Sequence, residues 1–181
     1  LWVGDALHGP VVAGRKAILF AFLDDHSRLV PGHRWGTAED TLRAEAALRR
    51  GLVSRGVPEA VYLDNGSPFV SSQLLRACAC LRVRLIHSRP RRPEGRGKIE
   101  RFFRTVRDQF LVEVAHTTVD DVAHLNALFS AWVETVYHRA VHSETGQAPL
   151  ERFGAGAAGL RYAGAPEPVS YTHLTLPTNS L

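Results

Sequence analysis

The sequence predicts an α/β domain in which helices flank a mixed five-stranded sheet. Three apolar segments separated by turn residues come first, and short apolar strands then alternate with helical periodicities. Strands in hairpin succession pair antiparallel, whereas strands separated by helices pair in parallel, so a chain with both patterns forms a mixed sheet. With 181 residues, 45% of them hydrophobic, the chain is long enough for one domain with its own core.

The first three strands are predicted at residues 1–4, 17–23 and 29–36. The linker that contains Asp24 and Asp25 has the polar composition of a turn and separates the second strand from the third. This part of the sheet is therefore expected to be antiparallel.

A capping box at residues 37–40 predicts the start of the first helix, and Gly56 predicts its end. Helical spacing then identifies the residues expected to share one face. These are Leu42, Ala46, Arg49 and Val53.

A strand at residues 60–63, a helix at 71–81 and a strand at 83–87 follow. The helix carries the only two cysteines, Cys78 and Cys80, whose spacing is not that of a zinc site. We therefore expect small buried thiols and no disulfide framework, as in a reducing cytosol.

Two amphipathic helices close the domain. A loop rich in Pro, Arg and Gly at residues 88–97 precedes a long helix at 98–114, and a last helix begins after Thr118, with Asp121 three residues further on. The last helix has apolar residues at spacings of three and four: Val122, Leu125, Phe129, Trp132 and Val136.

The folded core is predicted to cover residues 1–153, and residues 154–181 are predicted to be an unstructured tail. Residues 170–181 resemble a translated sequencing adaptor and are interpreted as an artefact, the alternative being a genuine disordered tail. The chain contains no Met, so we expect it to be truncated at its N-terminus.

Positive charge is concentrated late in the chain. Ten Lys or Arg residues lie between Arg82 and Arg107 against two Glu, and the isoelectric point is near 9.5. Such clustering favours a nucleic-acid partner, the alternative being a solvated loop. No apolar run is long enough for a membrane span, and a cytoplasmic, nucleoid-associated protein is expected.

Three carboxylates are candidates for chemistry. Asp5 is predicted to end the first strand, Asp64 ends the fourth, and Glu100 lies in the first turn of the long helix. Each one alone has a structural alternative, because Asp favours turns and Glu favours helix starts. Asp24 and Asp25 are also available, but their turn is predicted at the wrong end of the sheet.

The spacing is more specific than any single carboxylate. Asp64 lies in an Asp-Asn-Gly segment and Glu100 in a Gly-Lys-Ile-Glu-Arg-Phe segment, and 35 residues separate the two carboxylates. Together with Asp5 and a closing segment around Tyr137 and His142, this pattern resembles the catalytic core of DDE-type transposases and retroviral-type integrases, including bacterial insertion-sequence transposases. The resemblance covers about residues 2–153.

The resemblance implies an RNase H-like fold and a polynucleotidyl transferase that cleaves DNA strands and transfers them. It also implies two Mg²⁺ or Mn²⁺ ions, with Asp5 bridging, Asp64 completing one ion and Glu100 the other. Oxygen ligands and substrate phosphates are what Mg²⁺ prefers, and two ions suit an in-line displacement at phosphorus. The implied partners are element ends and target DNA, with a homo-oligomer in the synaptic complex.

Basic residues around the carboxylates are predicted to contact DNA. Helical spacing places Arg104 and Arg107 on the same arc as Glu100, where they can bind phosphates; simple pairing of Glu100 with Arg104 is the alternative. The predicted DNA-binding residues are Asn65, Arg91, Arg92, Arg96, Lys98, Arg104 and Arg107.

Two other functions remain open at this point. One is an RNase H-like nuclease without strand transfer, which the Gly-Lys-Ile-Glu-Arg-Phe helix disfavours. The other is an inactive DNA-binding remnant of a mobile element. Joining of DNA strands, as distinct from cutting or binding, separates the three.

Overall fold

The computed structural model describes residues 1–38, 41–64, 71–88 and 95–162. Within these ranges the chain forms one five-stranded sheet, as predicted. The strands are β1 (Trp2–Val12), β2 (Arg15–Asp24), β3 (Gly32–Gly36), β4 (Ala60–Leu63) and β5 (Arg84–His87). Their order in the sheet is β3-β2-β1-β4-β5.

The helices flank this sheet. They are α1 (Thr41–Arg55), α2 (Ser72–Cys80), α3 (Gly97–Thr105), α4 (Leu111–Ala115), α5 (Val122–Trp132) and α6 (Pro149–Ala155). Single π-helical turns follow α3 at Val106–Phe110 and α5 at Val133–Tyr137. None of the described helices combines the length and the hydropathy that a membrane span requires.

The sheet is mixed in the predicted sense. Strand β2 pairs antiparallel with β1 and with β3, whereas β4 pairs in parallel with β1 and with β5. Strand β1 therefore lies at the centre, where the antiparallel half meets the parallel half.

Strand β1 is longer than the predicted four residues. It continues past Pro10, where the register shifts between His8 and Val11. An irregularity of this kind accommodates a proline that has no amide hydrogen to donate, and pairing resumes beyond it. Asp5 consequently lies inside β1, and the prediction that it ends the strand was wrong.

Each face of the sheet carries its own core. Helices α3 to α5 cover one face with a largely aromatic cluster that includes Trp35, Phe102, Phe110, Phe129, Trp132 and Tyr137. Helices α1 and α2 cover the other face with a cluster that includes Trp2, Phe20, Phe22, Leu48, Leu74 and Cys78. The arrangement is the three-layered α/β sandwich that the element order predicts.

The residues predicted to share one face of α1 do share it, and this face is the outer one. Leu42 and Val53 are exposed, whereas Ala44 and Ala47 are buried. The reason lies in β3, where a Cβ added to Gly32 would lie 2.0 Å from the carbonyl oxygen of Ala47. Helix and strand approach so closely that only small side chains fit between them.

The π-helical turns also change which side chains are buried. Val136, predicted to lie on the core face, is exposed, while Val133 and Tyr137 are buried. An i→i+5 turn includes an extra residue and rotates the side chains that follow it, so a regular helical period fails there.

Side-chain caps mark the starts of two helices, of which α2 begins where predicted, whereas α5 begins at Val122, three residues later than a start directly after Thr118. Ser71 accepts a hydrogen bond from the amide three residues later at 2.9 Å, and Asp121 does the same at 2.7 Å. The capping box at 37–40 includes residues 39 and 40, which lie outside the described ranges. Of the cysteines predicted to be buried, Cys78 is buried but Cys80 is exposed.

Packed structure continues past residue 153. Helix α6, which the sequence did not predict, ends at Ala155, and Arg161 then lies against the connection between α1 and β4. The amide of Val57 donates to the carbonyl oxygen of Arg161 at 2.6 Å, and the Arg161 guanidinium donates to the carbonyl oxygen of Pro58 at 2.9 Å. The predicted start of the tail at 154 is therefore too early. Residues 163–181, including the segment interpreted as an artefact, lie outside the described residues.

Candidate active site

Two of the three candidate carboxylates meet at the centre of the sheet. Val3 pairs with Tyr62 in the parallel β1–β4 ladder, and continuing that register by two residues brings Asp5 beside Asp64. Gly4 permits this, because a Cβ at that position would lie 2.6 Å from side-chain atoms of both neighbouring strands. The sheet itself therefore positions the two aspartates.

A guanidinium lies between these carboxylates. Arg96 precedes α3, and its Nη2 atom donates to Asp5 Oδ2 at 2.6 Å, while its Nη1 atom lies 3.9 Å from Asp64 Oδ2. The other Asp5 oxygen accepts from the Ala6 amide at 2.9 Å. One cation thus faces two carboxylates.

Burial dominates the electrostatics of Asp5. Desolvation raises the pKa of Asp5; the hydrogen bonds from Arg96 and Ala6 and the charge of Arg96 oppose this, and the charge of Asp64 adds to it. The hydrogen bond to Asp5 in turn raises the pKa of Arg96, as do the charges of Asp5, Asp64 and Glu100. Arg96 therefore remains protonated, and the two aspartates repel each other across it.

Glu100 lies apart from this pair. It is exposed in the first turn of α3 and lines an open basin of about 580 Å³, bounded by Asp25, Gly95, Gly97, Lys98, Glu100, Arg101, Arg104 and Glu144. The described residues include Asp5, Asp64 and Glu100, yet among them no three His, Cys, Asp or Glu side chains are close enough together to hold a metal ion. The structure thus joins two of the predicted ligands and leaves the third beside them.

Ion pairs surround the basin, and some involve residues that the sequence interpretation set aside. Lys98 Nζ lies 2.7 Å from Asp25 Oδ1, so the turn that carries Asp25 reaches the start of α3 and is not remote from the site as predicted. Glu144 pairs with Arg101 and, at 3.4 Å, with Arg28. No local periodicity signals such contacts, because the partners are far apart in the sequence.

The predicted DNA-binding residues have different surroundings. Arg96 is turned to the aspartates, Lys98 pairs with Asp25, and Arg104 lines the basin. Arg107 is exposed in the π-helical turn after α3 and does not line the basin. The extra residue of that turn breaks the period that grouped it with Glu100. Asn65, Arg91 and Arg92 lie outside the described residues.

Comparison with known families identifies the family of this chain. A family model described as "Integrase core domain" matches residues 1–93, which is half of the chain, and a second model of the same description matches residues 81–149. The chain belongs to the integrase core domain family. The resemblance drawn from the carboxylate pattern is thereby confirmed.

A transposase is among the relatives of this integrase core. The transposase for transposon Tn552 of Staphylococcus aureus is 27% identical over 154 residues, which cover 76% of this chain and 32% of the transposase. The chain therefore spans about a third of the length of that curated relative.

Solved integrase structures share the fold. A chain of the simian T-cell lymphotropic virus intasome in complex with PP2A regulatory subunit B56 gamma superposes with a TM-score of 0.70 at 22% identity, covering 93% of this chain and 59% of that chain. The catalytic core domain of BIV integrase gives 0.65 at 20% identity, covering 87% and 95%. The HTLV-2 integrase catalytic core domain in complex with magnesium gives 0.64 at 19%, covering 84% and 94%. The predicted RNase H-like fold is confirmed.

The aspartate pair of this integrase core has the chemistry that a divalent cation requires. Two carboxylates already converge on one cationic group, and the donor atoms are the oxygens that Mg²⁺ and Mn²⁺ prefer. Glu100 adds a third negative charge that acts on the same guanidinium. Asp5 and Asp64 therefore fit one ion, with Glu100 available from the start of α3.

Proposed function

We propose that this integrase core catalyses metal-dependent cleavage of DNA strands and their transfer to a new position, as a bacterial transposase. The observation that carries the proposal is the meeting of Asp5 and Asp64 around a single cation, beside Glu100, on a chain that belongs to the integrase core family. The Tn552 transposase relative supports transposition as the biological process.

Three side chains, Asp5, Asp64 and Glu100, would hold the divalent ions. The ions would activate the attacking oxygen and stabilise the leaving oxygen of a phosphodiester. Asp5 is fixed within the central strand and Asp64 directly follows β4, so the sheet holds both in register. Glu100 lies in the first turn of α3, where its side chain lines the open basin.

Basic side chains would hold the DNA phosphates. The side chains of Lys98, Arg101 and Arg104 line the basin beside Glu100. A guanidinium group can donate two parallel hydrogen bonds to two oxygens of one phosphate. Asn65, Arg91 and Arg92 are proposed as further contacts on the strength of the family resemblance alone. Asp25 and Glu144 would have to release their cations as phosphates arrive.

The partners proposed are element ends and target DNA, bound by a homo-oligomer in the bacterial cytoplasm. Related cores support the oligomer, because the HTLV-2 integrase core domain is described in dimeric and trimeric forms and a T-cell lymphotropic virus protein in an intasome. The longer transposase relative leaves room for domains that recognise DNA ends.

The test uses a labelled duplex oligonucleotide and a supercoiled plasmid with Mn²⁺. Joining of the label to the plasmid is expected of a transposase, nicking without joining indicates a nuclease, and binding alone indicates an inactive remnant. Asp64→Asn and Glu100→Gln should each lower the reaction by about a thousandfold, because metal ligation supplies several kcal/mol of transition-state stabilisation.

A matched control separates this loss from a general effect of charge. Glu113 is exposed on α4, so Glu113→Gln removes the same charge further along the same helical segment and should leave activity unchanged. Full activity in a folded Asp64→Asn or Glu100→Gln protein would refute the assigned site.

A further inference from the structure

Arg96 occupies the place where a metal ion would bind. Its guanidinium faces the Oδ2 atoms of Asp5 and Asp64 at 2.6 and 3.9 Å, and the Asp5 side chain is only 10% exposed. Two carboxylates brought this close need a cation between them, and within the described residues Arg96 supplies it.

The charge of the counter-ion decides how strongly it attracts these carboxylates. One monovalent guanidinium faces two carboxylates, with the charge of Glu100 nearby. A divalent ion, smaller and doubly charged, compensates the same oxygens more completely. The ion and the guanidinium therefore compete for the same carboxylate oxygens.

The local backbone gives Arg96 room to leave. It lies between two glycines, of which Gly95 has a φ of +104° and Gly97 would have no atom within 4 Å of an added Cβ. The open basin borders both glycines. Among the described residues the buried Arg96 Nε atom has no hydrogen-bond partner, so the observed position does not satisfy the whole guanidinium.

We propose that Arg96 is an internal counter-cation that bridges Asp5 and Asp64 in the metal-free protein and withdraws when a divalent ion binds. Arg96 is thus a positioning residue, which holds the carboxylates together and sets the affinity for metal. The inference rests on the proposed function, because it takes this aspartate pair as metal ligands.

Competition makes a quantitative prediction. Arg96→Gln should bind Mn²⁺ about fivefold more tightly than the unmodified chain, because no partly exposed ion pair then has to be broken. Arg101→Gln is the matched control, since it removes one positive charge beside Glu100 while its partner is Glu144 and not the aspartates. The gain for Arg96→Gln should clearly exceed the gain for Arg101→Gln.

The experiment titrates each protein with Mn²⁺ and measures the free ion by electron paramagnetic resonance, without DNA. Tighter binding by Arg96→Gln than by Arg101→Gln supports the proposal. Equal affinities overturn it, and weaker binding by Arg96→Gln also overturns it, because Arg96 would then organise the site for the ion instead of competing.

Two further variants keep the result interpretable. Arg96→Lys retains the charge but not the forked guanidinium, and should bind Mn²⁺ with an affinity between those of the unmodified chain and Arg96→Gln; if Arg96→Gln fails to fold, an affinity no higher than that of the unmodified chain overturns the proposal. Asp64→Asn should lose most of the affinity. If Asp64→Asn binds Mn²⁺ normally, the metal site of the proposed function fails and the counter-cation role fails with it. If Asp64→Asn loses Mn²⁺ affinity while both Arg96 variants bind Mn²⁺ as the unmodified chain does, the metal site stands and the counter-cation role alone is refuted.

Discussion

Two arginine–carboxylate contacts in this molecule have opposite characters. Arg55 donates to both oxygens of Glu134, at 2.8 and 2.9 Å, and Glu134 also accepts from Nδ1 of the buried His138 at 3.2 Å. The Nε2 atom of His138 accepts from the Val30 amide at 3.0 Å, which fixes the neutral tautomer. Arg96, in contrast, faces two aspartates at once.

The difference lies in how many like charges face one cation. The Arg55 contact, one cation and one anion joined to a neutral imidazole, holds α1, the turn after α5 and the segment before β3 together. The Arg96 contact, one cation and two anions, lies next to an open basin. A balanced, satisfied network is what stability alone requires, whereas crowded like charges at a sheet centre indicate a site that binds something further.

Acid should change the contributions of the buried histidines and of Asp5 to stability in opposite directions. Burial lowers the pKa of His33 to about 3 and also lowers that of His138. Their contribution to stability is complete above the unfolded pKa and is lost as the pH falls from about 6.5, at up to 1.4 kcal/mol per pH unit for each histidine. The pKa of Asp5 is raised by burial, so its contribution rises as the pH falls.

Urea unfolding in EDTA between pH 7 and pH 4 measures the balance. The unfolding free energy of the chain should fall on acidification. His33→Gln should reduce the slope of this fall by the equivalent of about one bound proton, and Asp5→Asn should make the slope steeper. A loss that is equally steep in the chain and in His33→Gln would show that His33 is not the buried neutral group.

Removing the shared acceptor should break the balanced network. Glu134→Ala leaves the Nδ1 atom of His138 and the Arg55 guanidinium without their acceptor, and should cost about 1–2 kcal/mol of unfolding free energy, a value already reduced for the partial exposure of Glu134. Urea titration at pH 7 measures it. Glu144→Ala, which removes an exposed carboxylate with two arginine partners, should leave the midpoint almost unchanged. Equal losses would mean that burial of His138 contributes nothing.

A divalent metal ion should stabilise the protein through the Asp5–Asp64 pair and should not act on the Arg55–Glu134 network. With Mn²⁺ tenfold above its Kd, the melting temperature should rise by about 3 °C. Asp64→Asn should melt slightly higher than the unmodified chain in EDTA, because it relieves repulsion on Asp5, and should gain little from Mn²⁺. Glu134→Ala should melt lower yet keep the full Mn²⁺ shift, and equal shifts in all three proteins would remove Asp64 from the site.

The smallest effect concerns Arg104 and Arg107, the two arginines predicted to share an arc with Glu100. Arg104→Ala together with Arg107→Ala should flatten the salt dependence of DNA binding by about one to two units, since each phosphate contact releases counterions. Arg104 lines the basin and Arg107 lies in the π-helical turn, so Arg104→Ala alone should account for most of the change. Fluorescence anisotropy with a labelled duplex measures the slope, and an unchanged slope would show that neither residue contacts phosphates.

The elements of the fold were largely predictable because their signals are local. Apolar segments located the strands, and helical spacing located α2 and α5, although α5 begins at Val122, later than the start predicted after Thr118. The buried face of α1 and the exposure of Val136 were not predictable, because they depend on the close approach to Gly32 and on an i→i+5 turn. Both are decided by tertiary packing, which overrides the regular period.

For the candidate site, the sequence singled out residues but not the contacts between them. Parallel pairing of β1 with β4 brings Asp5 to Asp64. The sequence predicted a mixed sheet but not which strands are neighbours. The direction of the Arg96 side chain and the pairing of Lys98 with Asp25 depend on where α3 crosses the sheet. No spacing encodes such long-range contacts, so a residue predicted to contact DNA was found on a carboxylate pair.

The three tryptophans offer an optical view of the two layers. Trp2 is buried on the α1–α2 face, whereas Trp35 and Trp132 are buried on the other face within a network of aromatic rings. Because the sheet separates them, a Trp2→Phe chain emits only from the aromatic layer, and a chain with Trp35 and Trp132 changed to Phe emits only from the opposite layer. Intrinsic fluorescence can therefore reveal whether the layers come apart in a single cooperative step or one after the other.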